Sequence, residues 1–254
     1  GGIVDFVDIN KNTYTIDLDL LEKKLSTKPK GYFKGIIPVA FGGNPINTEK
    51  LKEICDNYGL WMLLDACHAP GASYIDSKGK SIKMGSNEYA DATIFSFHPV
   101  KHIATGEGGM ITCKNEDVYN QLIKLLTHGI IKEGLSYPFN DKDMQGSWYY
   151  EMQELGYNYR ITDIQAALGV SQLKRAKNNL VKRQEIANTY QNAFDLVGIK
   201  YQKVKDNSMN AFHLFVIEVE NRLGLYNFLR ENDIYAQIHY IPVHLQPYYQ
   251  KMGW

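Results

Sequence analysis

Short apolar runs alternate with amphipathic stretches through the first half of the chain, the pattern of an α/β domain. Ile3-Val4-Asp5-Phe6-Val7 reads as a strand, and residues 17–25 read as a helix with Asp19 and Glu22 suiting its positive N-terminal end. Ile36-Ile37-Pro38-Val39 is a second strand, its proline near the strand's end. Residues 47–58 are helical, Trp61-Met62-Leu63-Leu64 is the next strand, and residues 92–97 and 110–113 are two more. Asn115 caps a helix that carries Val118, Leu122 and Leu125 at helical spacing. This alternation predicts a mainly parallel sheet with helices on its faces and ligands at the carboxyl ends of the strands.

The second half is patterned differently. Residues 131–153 lack a clean period and contain Gly134, Pro138 and Gly146, so they read as a loop, of a length that is often functional. Thr162 and Gln165 form a Thr-x-x-Gln capping box at the start of a long helix. Ile161, Ile164 and Leu168 make one apolar stripe there, and Ile186, Tyr190 and Phe194 continue a spacing of four further along. A strand over 212–218, a helix over 222–232 and a strand over 235–238 then open a smaller α+β lobe.

The candidate chemistry lies at the strand ends. Asp65 closes one apolar run, with His68 three residues later, and Ser96 closes another, with Lys101 five residues later and Gly106-Glu107-Gly108-Gly109 beyond it. An acid, a hydroxyl and an amine so placed are the parts needed to hold pyridoxal 5'-phosphate (PLP): the acid for the ring nitrogen, the hydroxyl for the phosphate, the amine for the aldehyde. Lys101 condenses with an aldehyde only when neutral, which requires a place where protonation is disfavoured. Each residue type also has a plainer use: a solvated lysine, an aspartate capping a turn, a serine bonded to backbone. The glycine run is not Gly-x-Gly-x-x-Gly opening a helix, and strand-like residues follow it, which disfavours a dinucleotide fingerprint.

These pieces occur in a fixed order. Residues 64–72 (Leu-Asp-Ala-Cys-His-Ala-Pro-Gly-Ala), Ser96-x4-Lys101 and the glycine run are followed by Thr127-His128-Gly129, by residues 156–169 (Gly-Tyr-Asn-Tyr-Arg-Ile-Thr-Asp-Ile-Gln-Ala-Ala-Leu-Gly) and by residues 239–247 (His-Tyr-Ile-Pro-Val-His-Leu-Gln-Pro). From end to end the chain resembles the DegT/DnrJ/EryC1/StrS family of sugar-nucleotide aminotransferases. The resemblance implies an α/β PLP-dependent transferase of fold type I, like aspartate aminotransferase. Residues 1–155 would be part of the PLP-binding large domain, and residues 156–254 the long linking helix with part of a small α+β C-terminal domain.

By the same resemblance Lys101 is the catalytic lysine, Asp65 pairs with the protonated ring nitrogen and Ser96 donates to the phosphate. His68 touches the ring hydroxyl or lies against the ring, where many relatives carry glutamine. Asn158 or Arg160 reaches the cofactor phosphate of a neighbouring subunit, which implies a homodimer with shared active sites; sequence alone does not choose between them. His128, His239, Tyr240 and His244 fall near the sugar-nucleotide pocket. The implied reaction moves an amino group from glutamate to a nucleotide-linked ketosugar. The stretch 95–101 most resembles family members that aminate C4 of a UDP-linked 4-keto-6-deoxy N-acetylhexosamine, as on the pseudaminic acid route. Two alternatives stand beside this reading. One is a related sugar dehydratase, in which a histidine replaces the lysine; Lys101 counts against it. The other is a catalytically incomplete fragment that only binds or assembles.

Composition narrows the setting. With 28 basic and 28 acidic residues and zero formal charge, there is no electrostatic reason to expect nucleic acid or an anionic membrane as partner. Cys55, Cys67 and Cys113 are too few and scattered for a disulfide framework or a zinc site, and a reducing cytoplasm fits. Family members are longer at both ends than this chain, which begins Gly1-Gly2-Ile3 and stops at Trp254, so it reads as part of a longer protein. In the family the turn that cups the phosphate lies in an N-terminal part absent from this sequence.

Overall fold

Asp17 starts the first helix, α1 (Leu18–Leu25): its carboxylate accepts the amide protons of Asp19 and Leu20, and Leu21 and Leu25, one turn apart, are buried. In this computed structural model, which describes residues 2–135 and 146–254, β1 (Gly35–Ile36) follows. Next comes α2 (Thr48–Tyr58), opened by Asn47 and closed by Gly59 in the left-handed region at φ +72°. Leu51, Ile54 and Cys55 give α2 its buried face. Leu51 is fully enclosed, worth roughly 2–3 kcal/mol of side-chain burial. Strand β2 (Trp61–Asp65) turns Met62 and Leu64 inward against that face. A hairpin of β3 (Ser73–Ile75) and β4 (Ser81–Lys83) separates it from β5 (Ala92–Ser96) and β6 (Gly109–Cys113). Asn115 then caps α3 (Glu116–Leu126).

The central sheet runs β1-β2-β5-β6. β1, β2 and β5 are parallel, and β6 returns antiparallel to β5. Register sets the site: Asp65 lies opposite Ile94, so the carboxyl ends of β2 and β5 finish side by side, with Ser96 two residues beyond Ile94.

In the second half β7 (Ile130–Ile131) pairs antiparallel with β8 (Glu151–Met152). The loop expected over 131–153 thus begins and ends in a short ladder, and its residues 136–145, Pro138 among them, lie outside the described residues. Helix α4 (Asp163–Val197) opens on the expected capping box. Of its apolar residues, Tyr190 and Phe194 pack on Phe215, whereas Ile164 is 85% exposed. Strand β9 (Lys200–Tyr201) follows α4, and β10 (Ser208–Met209) pairs with β3, joining the second half to the first. Then come β11 (Ile217–Glu218), paired with β9, α5 (Arg222–Glu231) and the short α6 (Pro247–Gln250). Among the described residues no helix is long and apolar enough to cross a membrane.

Four expected strands differ, because a strand forms only where a neighbouring edge lies alongside. Residues 3–7 form no ladder; Phe6 packs on Tyr249 and Trp254, and its carbonyl takes a proton from Lys24 Nζ (2.8 Å). Of 212–218 only Ile217–Glu218 pairs, because Phe212 sits at φ +46° and residues 211–214 bond instead to the turn at Gly42 and Gly43. Residues 235–238 pair with no strand among the described residues. The strand expected at 36–39 is interrupted: after Ile36 only Val39 bridges to Asp65, although the Pro38 carbonyl still accepts the Asp65 amide proton (2.9 Å).

Candidate active site

Asp65 ends β2 with its backbone tied on both sides, its N–H to Pro38 and its carbonyl to the Ala40 N–H (both 2.9 Å). Its Oδ1 accepts the Cys67 N–H (2.9 Å), which turns the chain towards His68. Burial first, then the hydrogen bond and charge of Asp65, push the Cys67 thiol up to about 12, so it is a neutral packing group and no nucleophile.

Ser96, half-buried at the end of β5, accepts the His98 N–H on its hydroxyl oxygen (3.3 Å), which leaves its own proton free to donate. The lysine loop is closed at its base by Phe97 N–H to Gly108 carbonyl (2.8 Å) and Thr105 N–H to Phe97 carbonyl (2.9 Å). Gly108 is needed for that closure, since a Cβ there would lie 2.5 Å from Thr105 Oγ1. Gln165 of the α4 capping box donates to the Glu107 carbonyl (2.9 Å), so the helix start also braces the loop. Lys101 sits half-buried on this loop with no salt bridge among the described residues, and its charge is felt at Cys67, His68, His102 and His213.

His68 is buried, and its Nδ1 accepts the Gly42 N–H (3.3 Å). Burial, with the Lys101 charge second, pushes its pKa down to about 4, so it is neutral at physiological pH. Phe41 lies against it at 5.8 Å between ring centroids, and Tyr240 meets Phe41 edge-on at 6.4 Å. His239 also reaches this neighbourhood, since its charge acts on His68. The structure therefore gathers Asp65, His68, Ser96, Lys101, His239 and Tyr240.

The other four predicted residues have other partners. Asn158 pairs with Thr127, and its Oδ1 accepts from Arg160 Nε (3.2 Å) and Nη2 (2.9 Å). His128, exposed at φ +59°, adjoins this ladder through its N–H to Tyr157 (2.7 Å). Gly129 and Gly156 pass so closely that a Cβ on Gly129 would fall 1.8 Å from the Glu154 carbonyl oxygen. His244 packs near Phe6, at 6.1 Å. No hydrogen bond, ion pair or ring contact among the described residues joins these four to Asp65, Ser96 or Lys101.

Sequence reasoning passed over Phe41, Gly42 and Gly43, which form the turn beside His68. The run Phe-Gly-Gly-Asn-Pro was a readable signal, being glycine and proline punctuation. It also passed over His102 and His213, which carry no local signal.

The gathered side chains fit PLP: a carboxylate at one strand end, a hydroxyl at the next, an amine without an ionic partner among the described residues, and a neutral imidazole that feels the charges of both Lys101 and Asp65. A model described as the DegT/DnrJ/EryC1/StrS aminotransferase family matches residues 1–253. The chain belongs to this family.

Among its relatives in the DegT/DnrJ/EryC1/StrS family, the spore coat polysaccharide biosynthesis protein SpsC of Bacillus subtilis is 38% identical over 97% of this chain and 61% of its own length. The UDP-4-amino-4,6-dideoxy-N-acetyl-beta-L-altrosamine transaminase of Campylobacter jejuni is 36% identical over 99% of this chain and 63% of its own. Spr1654 of Streptococcus pneumoniae, solved in its PLP form, superposes with a TM-score of 0.81 at 28% identity, covering 98% of this chain and 64% of that one. The chain thus spans about three fifths of the length of the curated relatives it matches. The expected family and the type I PLP-dependent transferase fold are the observed ones.

Proposed function

We propose that the protein is a PLP-dependent aminotransferase that moves an amino group from glutamate to a nucleotide-linked 4-keto-6-deoxy sugar, with UDP-sugars as the substrate class. The observation that carries this is the register of β2 and β5, which sets Asp65 beside the end of the strand bearing Ser96, with Lys101 on a closed loop next to both. The relationship to a UDP-amino-sugar transaminase supports the substrate class.

The cofactor, when bound, supplies an electron sink that stabilises negative charge at the reacting carbon. The Asp65 carboxylate holds a proton on the ring nitrogen, and the Ser96 hydroxyl donates to the phosphate. Lys101 Nζ would take the proton from Cα of the amino donor and hand it to the cofactor, and in the second half of the reaction would take one back and deliver it to C4 of the sugar. His68 faces the ring with a neutral imidazole.

Tyr240 supplies the substrate side. It lines a cleft of about 550 Å³ together with Arg222, Tyr226 and Gln237, a guanidinium for the diphosphate and phenol rings for the base. Asn158 and Arg160, exposed and bonded to each other, serve the site of a second copy in a homodimer, with His128 beside them. His239, whose charge reaches His68, and His244, packed near Phe6, are assigned to the sugar side on the family resemblance. Residues 1–155 form the cofactor domain and 156–254 the linking helix and small domain, and the three free thiols suit a cytoplasmic setting.

The test is ¹⁵N-glutamate with UDP-, dTDP- and GDP-linked 4-keto-6-deoxy sugars, read by mass spectrometry. Appearance of ¹⁵N in the UDP-sugar is expected. Label entering none of the three, from protein that has bound cofactor, would remove the reading.

A further inference from the structure

His68, His213 and His102 stand in a row beside Lys101. The His213 ring centroid is 4.4 Å from that of His68, tilted 35°, and 5.4 Å from that of His102, tilted 40°. The three come from separate parts of the chain, and the proposed chemistry uses neither His213 nor His102.

One residue ties the row together. Gly42 donates its N–H to His68 Nδ1 (3.3 Å), and its carbonyl accepts the Leu214 N–H (3.1 Å). The turn that orients His68 therefore also holds the backbone carrying His213. That backbone is fixed further by Ala211 N–H to Gly43 carbonyl (2.9 Å), by Phe212 N–H to Asn210 Oδ1 (2.7 Å) and by Arg183 Nη1 of α4 to the Phe212 carbonyl (3.1 Å). The approach admits no side chain at Gly43, where a Cβ would lie 2.8 Å from Phe212 N and 2.9 Å from the His68 carbonyl oxygen.

A backbone N–H can bond to Nδ1 only if that nitrogen offers a lone pair. His68 is thus the tautomer with its proton on Nε2, a donor free to face the site. His213 Nδ1 and His102 Nε2 are buried without hydrogen-bond partners among the described residues, and these two rings act here as packing surfaces.

We propose that His213 is a positioning residue: its ring backs His68 and keeps that imidazole seated on the Gly42 N–H, the bond that leaves Nε2–H to be presented to the cofactor. The target of that donor rests on the aminotransferase reading; the lock itself is a property of the chain. The groups facing His68 are Asp65 from β2, Lys101 from the loop after β5, His239 from the C-terminal segment and His213. Arg183 faces His102 and His213. Burial foremost, then these cations and neighbouring imidazoles, push His102 down to about 4 and His213 to about 3, so the row is uncharged at physiological pH.

The experiment is NMR of the ¹⁵N-histidine-labelled chain without cofactor, as wild type, His213→Ala and His213→Phe, followed by a fluorescence titration with PLP. Wild-type His68 is expected as the Nε2–H tautomer, neutral well below the ordinary histidine range. His213→Ala is expected to show mixed tautomers, protonation near the ordinary value and roughly tenfold weaker PLP binding, the scale for losing an orienting partner. His213→Phe, which restores a flat ring, is expected to return all three readings towards wild type. An unchanged His68 tautomer and titration in His213→Ala would overturn the proposal, as would a folded His213→Phe in which His68 titrates freely. Failure of the aminotransferase reading looks different: wild type would not bind PLP, while the tautomer result would stand.

Discussion

Lys101→Ala is expected to lower amino transfer by at least about 10³-fold, the upper part of the range for a positioned acid–base group, because it removes the amine set beside Asp65 and Ser96 to carry the proton. It is also expected to abolish borohydride-reducible attachment of PLP. The fold should survive, since Lys101 is half-buried, makes no salt bridge among the described residues, and lies on a loop closed by the backbone bonds of Phe97, Thr105 and Gly108. Circular dichroism would report the fold, and borohydride followed by intact mass would report the attachment. Cofactor still linked to the variant after reduction would displace Lys101 from its role.

The second large effect belongs to Asp65. Asp65→Asn keeps the shape and the acceptor for the Cys67 N–H but removes the negative charge that holds a proton on the ring nitrogen. Reducible attachment at Lys101 is expected to persist while kcat falls by about 10²–10³-fold, the scale for losing one preorganised electrostatic contact. The distinction between Lys101 and Asp65 is thus one of kind: one variant loses the link, the other keeps the link and loses the rate. A turnover number that Asp65→Asn leaves untouched would remove Asp65 from the ring nitrogen.

How much of this was legible before the structure depends on whether the determinant is local. Asp65 and Ser96 were readable because each ends an apolar run, and the carboxyl end of a buried strand is where an α/β sheet exposes side chains to ligand. The caps at Asn115 and Thr162 were readable because a side chain three residues from its amide partner is local chemistry. Strands without an available edge were not. Residues 3–7 and 235–238 have the composition of strands, but pairing is decided by what lies alongside. His213 was hidden for a related reason. Nothing near it in sequence marks it, and it reaches His68 only because Gly42 and Gly43, about 170 residues earlier, let the two backbones meet. Asn158 and Arg160 were found as a pair by motif, and the structure adds that each has the other as partner.

The claim on which the account rests is that Lys101, held beside Asp65 and Ser96, is the amine that meets the cofactor. The most direct measurement is to mix the purified chain with PLP, record the visible spectrum, reduce with borohydride and map the modified peptide. A visible band that is lost on reduction, with the label on Lys101 alone, is the expected result. A label spread over surface lysines, or concentrated on any lysine other than Lys101, would contradict it.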